Sequence, residues 1–321
     1  MRRDSPPHGE RGESVDGYDV TTWEPRTRLD RFSVALEGLL RAHVGDFLVA
    51  LSLLLLLVQL VLGGFVLLRE PGLDVLTVLS IVPAFLLFAG IWALDPTGHE
   101  PLRPVAITFL LGVLFAGFAA LLNTALRPGF QLLPIVGLGL FFFLVVGPLE
   151  ESVKVLAVRV GAYRSPSFDS VIDGMVYGAA AGLGFATIEN SVYITREFLA
   201  VAQPGSVIAT PDQVRAAIAT AAQRSFVGPG HVLYSSISGY YLGLAKFNPE
   251  RFGPIVLKGV LIAAFAHAVY DAIAGYAGLA GLAFVVYVVL FDGVVLAYLY
   301  RKLTRYRRVA APASGSEGSG A

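Results

Sequence analysis

Of the ionisable side chains inside the apolar stretches of this 321-residue chain, seven fall between residues 150 and 271, namely Glu150, Glu151, Lys154, Glu189, His231, His267 and Asp271, and an eighth, Asp292, lies beyond them. Their spacing is regular. Glu150 and Lys154, Phe185 and Glu189, Glu189 and Tyr193, His231 and Ser235, and His267 and Asp271 are each four residues apart. That interval puts both members of a pair on one face of a helix. Two imidazoles and several carboxylates are a ligand set for a divalent cation, with a carboxylate left over as a proton acceptor. Thiolate ligands and cysteine nucleophiles are excluded, because the chain has no cysteine. Glu150 or Glu151 is the expected general base. The spacing couples Glu150 with Lys154, and Glu151 is then the one free to activate water. Asn190, next to Glu189, and Tyr193 are expected as hydrogen-bond donors that could serve an oxyanion.

The elements that carry these groups must cross a membrane. The chain is 55% hydrophobic and 15% charged, against roughly a quarter charged for a soluble domain, and its mean hydropathy is +0.68. This composition excludes both a soluble globule and a disordered chain. Balanced charge, 24 basic against 24 acidic residues, argues against a nucleic-acid partner, which calls for a basic face. Counting apolar runs of about 20 residues gives eight spans. The first three lie between Asp46 and Arg69, Asp74 and Asp95, and Arg103 and Arg127. The fourth follows Arg127, passes Phe141-Phe142-Phe143, takes in Glu150, Glu151 and Lys154, and ends near Arg159. The fifth follows Asp173 and carries Glu189; the sixth, between Arg224 and Lys246, carries His231. The seventh follows Lys258 and holds His267 and Asp271, and the eighth runs from about Ala280 to Tyr300.

The expected fold is therefore all-α and polytopic, with about eight transmembrane helices and spans four to seven as the site-bearing core. At ~1.5 Å per residue, Glu150 stands roughly 12 Å above one membrane face, and Glu189, His231 and His267 roughly 18–24 Å above it, so their heights overlap. Lys and Arg gather on the N-terminal arm, near Arg103, at Arg159 and Arg164, at Lys246, Arg251 and Lys258, and on the tail. That bias puts both termini in the cytoplasm. Residues 1–45 read as a cytoplasmic arm, disordered to about residue 28, with an interfacial helix presenting Phe32, Leu36, Leu39, Leu40 and Val44. Residues 46–302 form the transmembrane domain and 303–321 a flexible tail. No cleavable signal segment is expected, because the first apolar run is long enough to span.

Four motifs in order, Glu150-Glu151-x-x-Lys154, Phe185-x-x-x-Glu189-Asn190, His231-x-x-x-Ser235 and His267-x-x-x-Asp271, resemble those of the PrsW-type intramembrane proteases, distant relatives of the CAAX prenyl endopeptidases. The resemblance covers about residues 130–280. It implies a metal-dependent endopeptidase of the cell membrane that acts on membrane-bound proteins. The family's best-known role is the first cut in a membrane-bound anti-sigma factor. On this reading His231 and His267 bind the metal, most simply zinc, with Glu189 or Asp271 as third ligand. A metal-free version, with Glu and His alone polarising water, is equally compatible with the residues.

Rival readings are open to inspection. There is no His-Glu-x-x-His zincin motif. Tyr270-Asp271 and Gly182-Leu183-Gly184 are similar to aspartyl intramembrane protease motifs, but Phe185 follows where a second aspartate is needed. Ser238-Gly239 is similar to a rhomboid serine, but Ser236 stands where a glycine belongs. From a different class, a transporter or channel could use the same charges as an ion or proton path, although no internal repeat supports it. A buried imidazole or carboxylate could also be purely structural.

Overall fold

The computed structural model describes residues 16–41, 71–95, 100–201 and 210–310, together with residues 54 and 98. Among them the chain is all-α, with one isolated bridge between Tyr18 and Thr22. In chain order the helices are α1 (Arg28–Arg41), α2 (Pro71–Ala93), α3 (Leu102–Gln131), α4 (Gly137–Phe141), α5 (Gly147–Gly161), α6 (Val171–Ala200), α7 (Pro211–Lys246), α8 (Phe252–Ala277) and α9 (Gly281–Ala310). A π-helical turn, Phe142–Val146, joins α4 to α5, and a short 3-10 turn, Pro249–Arg251, precedes α8.

Five segments are long and apolar enough to cross a bilayer: Gly72–Ala93, Leu102–Gln131, Val171–Ala200, Pro249–Ala277 and Gly281–Val309. Of the other three expected spans, the first lies outside the described residues apart from residue 54. The fourth is split by the π turn. The sixth is part of α7, which begins at Pro211 and runs unbroken through Pro229. A helix enclosed by its neighbours has no need of a lipid-compatible surface, and α7 is buried almost continuously from Val227 to Ala245. Its Gly228-Pro229-Gly230 sequence, a candidate break, leaves the helix intact.

The bundle is organised around α6 and α7. Gly174, Gly178 and Gly182 recur every four residues on α6 and meet Ser235, Gly239 and Gly243 on α7. A Cβ built on Gly178 would lie 2.1 Å from the Ser235 carbonyl oxygen, and one on Gly182 would lie 2.3 Å from that of His231. Only glycine allows backbones this close, and small residues at this interval are how helices associate where lipid removes the hydrophobic drive. Gly112 of α3 meets α6 in the same way, against the Ala181 carbonyl. Helices α2, α3, α5, α8 and α9 pack around the pair, with α3 also packed on α5. The start of α6 is fixed by a capping box, in which Ser170 accepts from the Ile172 and Asp173 amides while Asp173 accepts from the Ser170 amide.

The arm differs from expectation. Residues 16–27 are folded, with Val20 and Trp23 buried. Asp19 accepts hydrogen bonds from Tyr241 Oη at 2.8 Å and Lys258 Nζ at 3.0 Å, and is ion-paired with Lys302. The Tyr240 hydroxyl donates to the Asp19 carbonyl at 2.9 Å. On α1, Asp30 and Ser33 face the protein while Phe32 is 55% exposed. Burial alone would raise the Asp30 carboxyl, but the Lys258 ammonium 2.6 Å away and the Tyr18 hydroxyl hold it down to about 2. At the other terminus α9 stays helical through Ala310, with Arg305 bonded to the Asp16 carbonyl and Arg307 to that of Leu94. Residues 303–310 are thus helical, and residues 311–321 and Val44 lie outside the described residues.

Two outcomes are expected. Gly178→Ala should push α6 from α7, costing about 1–3 kcal/mol and most of the activity. Gly293→Ala, whose Cβ would meet nothing within 4 Å, should change neither; unfolding in detergent compares them. For topology, single cysteines replacing Arg215 and Glu250 should give labelling by an impermeant maleimide in intact cells at the first position only. The reverse pattern would invert the orientation.

Candidate active site

Three helix features aim the polar groups at one another. Pro148 lacks an N–H and its ring clashes with the carbonyl four residues back. The turn before it is widened to π spacing, with the Gly147 amide bonded to the Phe142 carbonyl. Such widened turns are frequent at functional sites. A Cβ on Gly147 would lie 2.5 Å from the Ala264 carbonyl, so α5 starts hard against α8. Glu150 and Glu151 stand one turn on from Gly147 and His267 one turn on from Ala264, close enough for their side chains to meet, with Glu151 Oε1 3.0 Å from His267 Nδ1. The α6–α7 glycine contact does the same for Glu189 and His231.

Lys154 lies closer to Glu151 than to Glu150, the partner that the spacing suggested. Lys154 Nζ lies 2.7 Å from Glu151 Oε1 and 4.0 Å from Glu150 Oε2. The pair is therefore Glu151–Lys154, one residue closer than the four-residue spacing implies, and both side chains are fully enclosed. Glu151 Oε1 also accepts from His267 Nδ1 at 3.0 Å. Glu150 is the free one. Its Oε1 accepts from Asn123 Nδ2 at 2.9 Å, while its Oε2 is buried with no hydrogen-bond partner. Helix neighbours at three and four residues are equally reachable, and here His267 draws Glu151 to the lysine side.

The imidazole tautomers follow from these partners. Lys154 is a donor without acceptor capacity and lies 3.1 Å from His231 Nδ1. Nδ1 therefore accepts, and the proton sits on Nε2, 2.6 Å from Glu189 Oε2. At His267 the Glu151 carboxylate takes the Nδ1 proton's hydrogen bond, leaving the Nε2 lone pair exposed. Facing that lone pair are Glu150 Oε2 at 3.7 Å and Asp271 Oδ2 at 3.6 Å. Three acceptors pointing at one another are stable only with a cation or a shared proton among them. Carboxylate-held imidazole with its other nitrogen free is how metal-binding histidines are oriented; Glu151, and not Asp271, supplies that carboxylate. Glu150, His231 and His267 offer donor atoms all within 4.8 Å of one another. Zinc–ligand bonds of about 2.0–2.2 Å need somewhat shorter separations, which small side-chain movements supply. The site could therefore hold a metal ion. Phe185 closes one side, under Lys154 Nζ at 4.4 Å and stacked on His231 at 5.4 Å.

These groups border a cavity of about 510 Å³. Glu150, Glu189, His231, His267 and Asp271 line it, whereas Glu151, Lys154 and Asn190 do not. Asn190 is buried and turned toward α2 and α7, where it donates to Ser80 Oγ at 2.9 Å and accepts from Arg224 Nε at 2.9 Å. Of the cavity residues that went unrecognised in the sequence, two bond directly to the expected site residues. Arg224, counted as a loop charge, is on α7 and bonds Glu189 Oε2 at 2.8 Å. Asn123 sits on α3, a helix read as scaffold. Arg224 had a signal, since it precedes His231 by two helical turns; Asn123 had none.

Removing one partner of a buried ion pair costs roughly 3–5 kcal/mol. Glu151→Gln should therefore lose stability on that scale in thermal unfolding, while Glu150→Gln should fold within about 1 kcal/mol of the parent, the scale of one hydrogen bond. Equal losses would overturn the assignment of roles.

Comparison with known proteins identifies the chain's relatives. The family described as PrsW family intramembrane metalloprotease matches residues 100–298. Protease PrsW of Bacillus subtilis (strain 168) is 30% identical over 60% of this chain and 80% of its own length. Protease PrsW of Clostridioides difficile (strain 630) is 30% identical over 62% and 78%. Protease PrsW of Shouchella clausii (strain KSM-K16) is 31% identical over 41% of this chain, and the match spans about half, 53%, of that protein. No solved structure matches the chain. With the motifs gathered at one cavity among membrane-spanning helices, and a family match over more than half its length, the chain belongs to the PrsW family of intramembrane metalloproteases.

Proposed function

We propose that the cavity is the active site of an endopeptidase of the cell membrane, with both termini cytoplasmic, that cuts membrane-bound protein substrates in the manner of a first-site cleavage, as of an anti-sigma factor. The observation that carries this reading is Glu150 Oε2, a buried carboxylate oxygen without a hydrogen-bond partner, 3.7 Å from His267 Nε2, in a residue that lines a cavity shared with two imidazoles. Asn123 fixes the other oxygen, so Oε2 is held ready to take a proton from water. As the water oxygen bonds to the carbonyl carbon, its proton passes to Glu150 and the carbonyl pair moves onto oxygen. On collapse the C–N bond breaks and Glu150 returns the proton to the leaving amine. The products are a carboxylate and an amine terminus.

Glu151 and Lys154 take no direct part. Glu151 orients His267, and Lys154 balances the charge of Glu151 while fixing His231 from its Nδ1 side. A divalent metal, zinc by donor type, would be held by Glu150, His267 Nε2 and a nitrogen of His231, which would first have to give up either its Nε2 proton to Glu189 or its Nδ1 hydrogen bond from Lys154; bound there it would acidify a water and polarise the carbonyl. Were Glu150 to serve as a ligand, the proton acceptor among the cavity carboxylates would be Asp271, 3.6 Å from His267 Nε2, since Glu189 is committed to Arg224 and His231.

The test uses detergent-solubilised protein and a membrane-bound substrate that the wild type cuts. Glu150→Gln should lower the cleavage rate by about 10²–10⁴, the usual worth of general acid–base help, while folding normally. Elemental analysis should find metal that falls in His231→Ala, His267→Ala and Glu150→Gln. A fully active, chelator-insensitive preparation without metal would remove the ion and leave Glu150 as base; a fully active Glu150→Gln would remove the reading itself.

A further inference from the structure

Glu150 and the two imidazoles account for the proton and for the attacking oxygen, but not for the negative charge that builds on the carbonyl oxygen. In a site at this depth that charge needs a fixed donor. Lys154 cannot serve, because its side chain is fully enclosed and committed to Glu151 and His231. Arg127 and Arg196 line the cavity but are exposed and make no ion pair among the described residues, so nothing holds them in place. Asn123 Nδ2 is engaged with Glu150.

We propose that Arg224 is a catalytic residue whose Nη1 binds the carbonyl oxygen of the substrate as it becomes an oxyanion. The proposal rests on the endopeptidase reading. The guanidinium is held from three sides. Nε donates to Asn190 Oδ1 at 2.9 Å, Nη2 donates to Glu189 Oε2 at 2.8 Å, and the plane lies over Tyr193 at 4.4 Å from the ring centre. Asn190 is itself anchored, donating to Ser80 Oγ and, at 3.4 Å, to the Arg224 carbonyl. Nη1 has no hydrogen-bond partner among the described residues, yet it is not enclosed, since the side chain keeps 10% of its surface and borders the cavity. Glu189 Oε2 is shared with His231 Nε2 at 2.6 Å, so the guanidinium stands two hydrogen bonds from the imidazole of the reacting centre. It is a charge already oriented, which is what makes such donors effective, and a guanidinium stays charged under any condition in which the protein folds. In the reaction written above, the pair moving from the carbonyl π bond onto oxygen would be met by this N–H and released when the C–N bond breaks.

A purely structural Arg224, present to balance Glu189, predicts different behaviour, and a double variant separates the two. Arg224→Gln, Arg224→Lys and Glu189→Gln/Arg224→Gln are compared with wild type for thermal unfolding, for kcat and KM on a membrane-bound substrate that the wild type cuts, and for binding of a peptide of that substrate carrying a phosphinate in place of the scissile amide. Arg224→Gln should lower kcat by about 10²–10³, the loss seen when one oxyanion donor is removed, with KM within about threefold, and should weaken the phosphinate in parallel. Arg224→Lys, which keeps the charge but not the fork, should fall short of wild type in both. The double variant should recover thermal stability without recovering kcat or phosphinate affinity. Recovery of all three together, or an Arg224→Gln that keeps wild-type kcat and phosphinate affinity, overturns the role. A wild type that neither cuts nor binds the phosphinate takes down the endopeptidase reading and this proposal with it.

Discussion

The backbone-to-backbone approach of α6 and α7 is the constraint on which the rest of this molecule depends. Every polar contact between Glu189, Arg224 and His231 crosses that interface, and none would survive a separation wide enough for ordinary side chains. The glycines run along the face that the site needs. Gly182 lies against the His231 carbonyl itself, and Glu189 follows two turns later on the same helix. A second close approach, Gly147 on Ala264, does for the α5–α8 side what the stripe does for α6–α7. Position in the site is therefore set by absent side chains as much as by present ones.

Given that frame, the buried charges are tolerable because they are arranged as alternating signs. Lys154 lies between Glu151 and His231, and Glu189 between Arg224 and His231. Each charged group that is fully enclosed has at least two polar partners, which offsets the desolvation that isolated ions would suffer. At the cavity Glu150 is the exception: its Oε2, which has no hydrogen-bond partner, and the Asp271 carboxylate face the same imidazole nitrogen.

Much of this could be read from residue type and interval. The His267–Asp271 pairing needed only the helical repeat and the cost of charge in lipid, the common height of Glu189 and His231 only a count of rise per residue, and the all-α polytopic fold only hydropathy. What escaped was non-local. Counting apolar runs stops a span at the first charge, so Arg224 was cut off from a helix that extends 13 residues further toward Pro211. The choice between Glu150 and Glu151 as partner of Lys154 depends on His267, over a hundred residues away, and periodicity cannot see it. Asn123 and the folded arm are similar cases, since Asp19 finds its partners at Tyr241, Lys258 and Lys302. The glycine stripe was visible as an interval of four on both helices, but it carries no charge and so drew no attention.

The docking of Asp19 has a practical side. Helix α9 exposes Val286, Val289, Leu290 and Val294, packs Phe284, Val288, Val295 and Leu299 into the core, and is tied to the arm where Lys302 and Arg305 reach it. The arm and α9 therefore fasten each other. A reporter or purification handle added ahead of residue 16 leaves that clasp alone. A truncation that removes Asp19 strips the buried Lys258 and the half-buried Lys302 of a shared counter-ion and loosens a helix far along the sequence, so trimming the arm for convenience of expression is a change to the membrane domain itself.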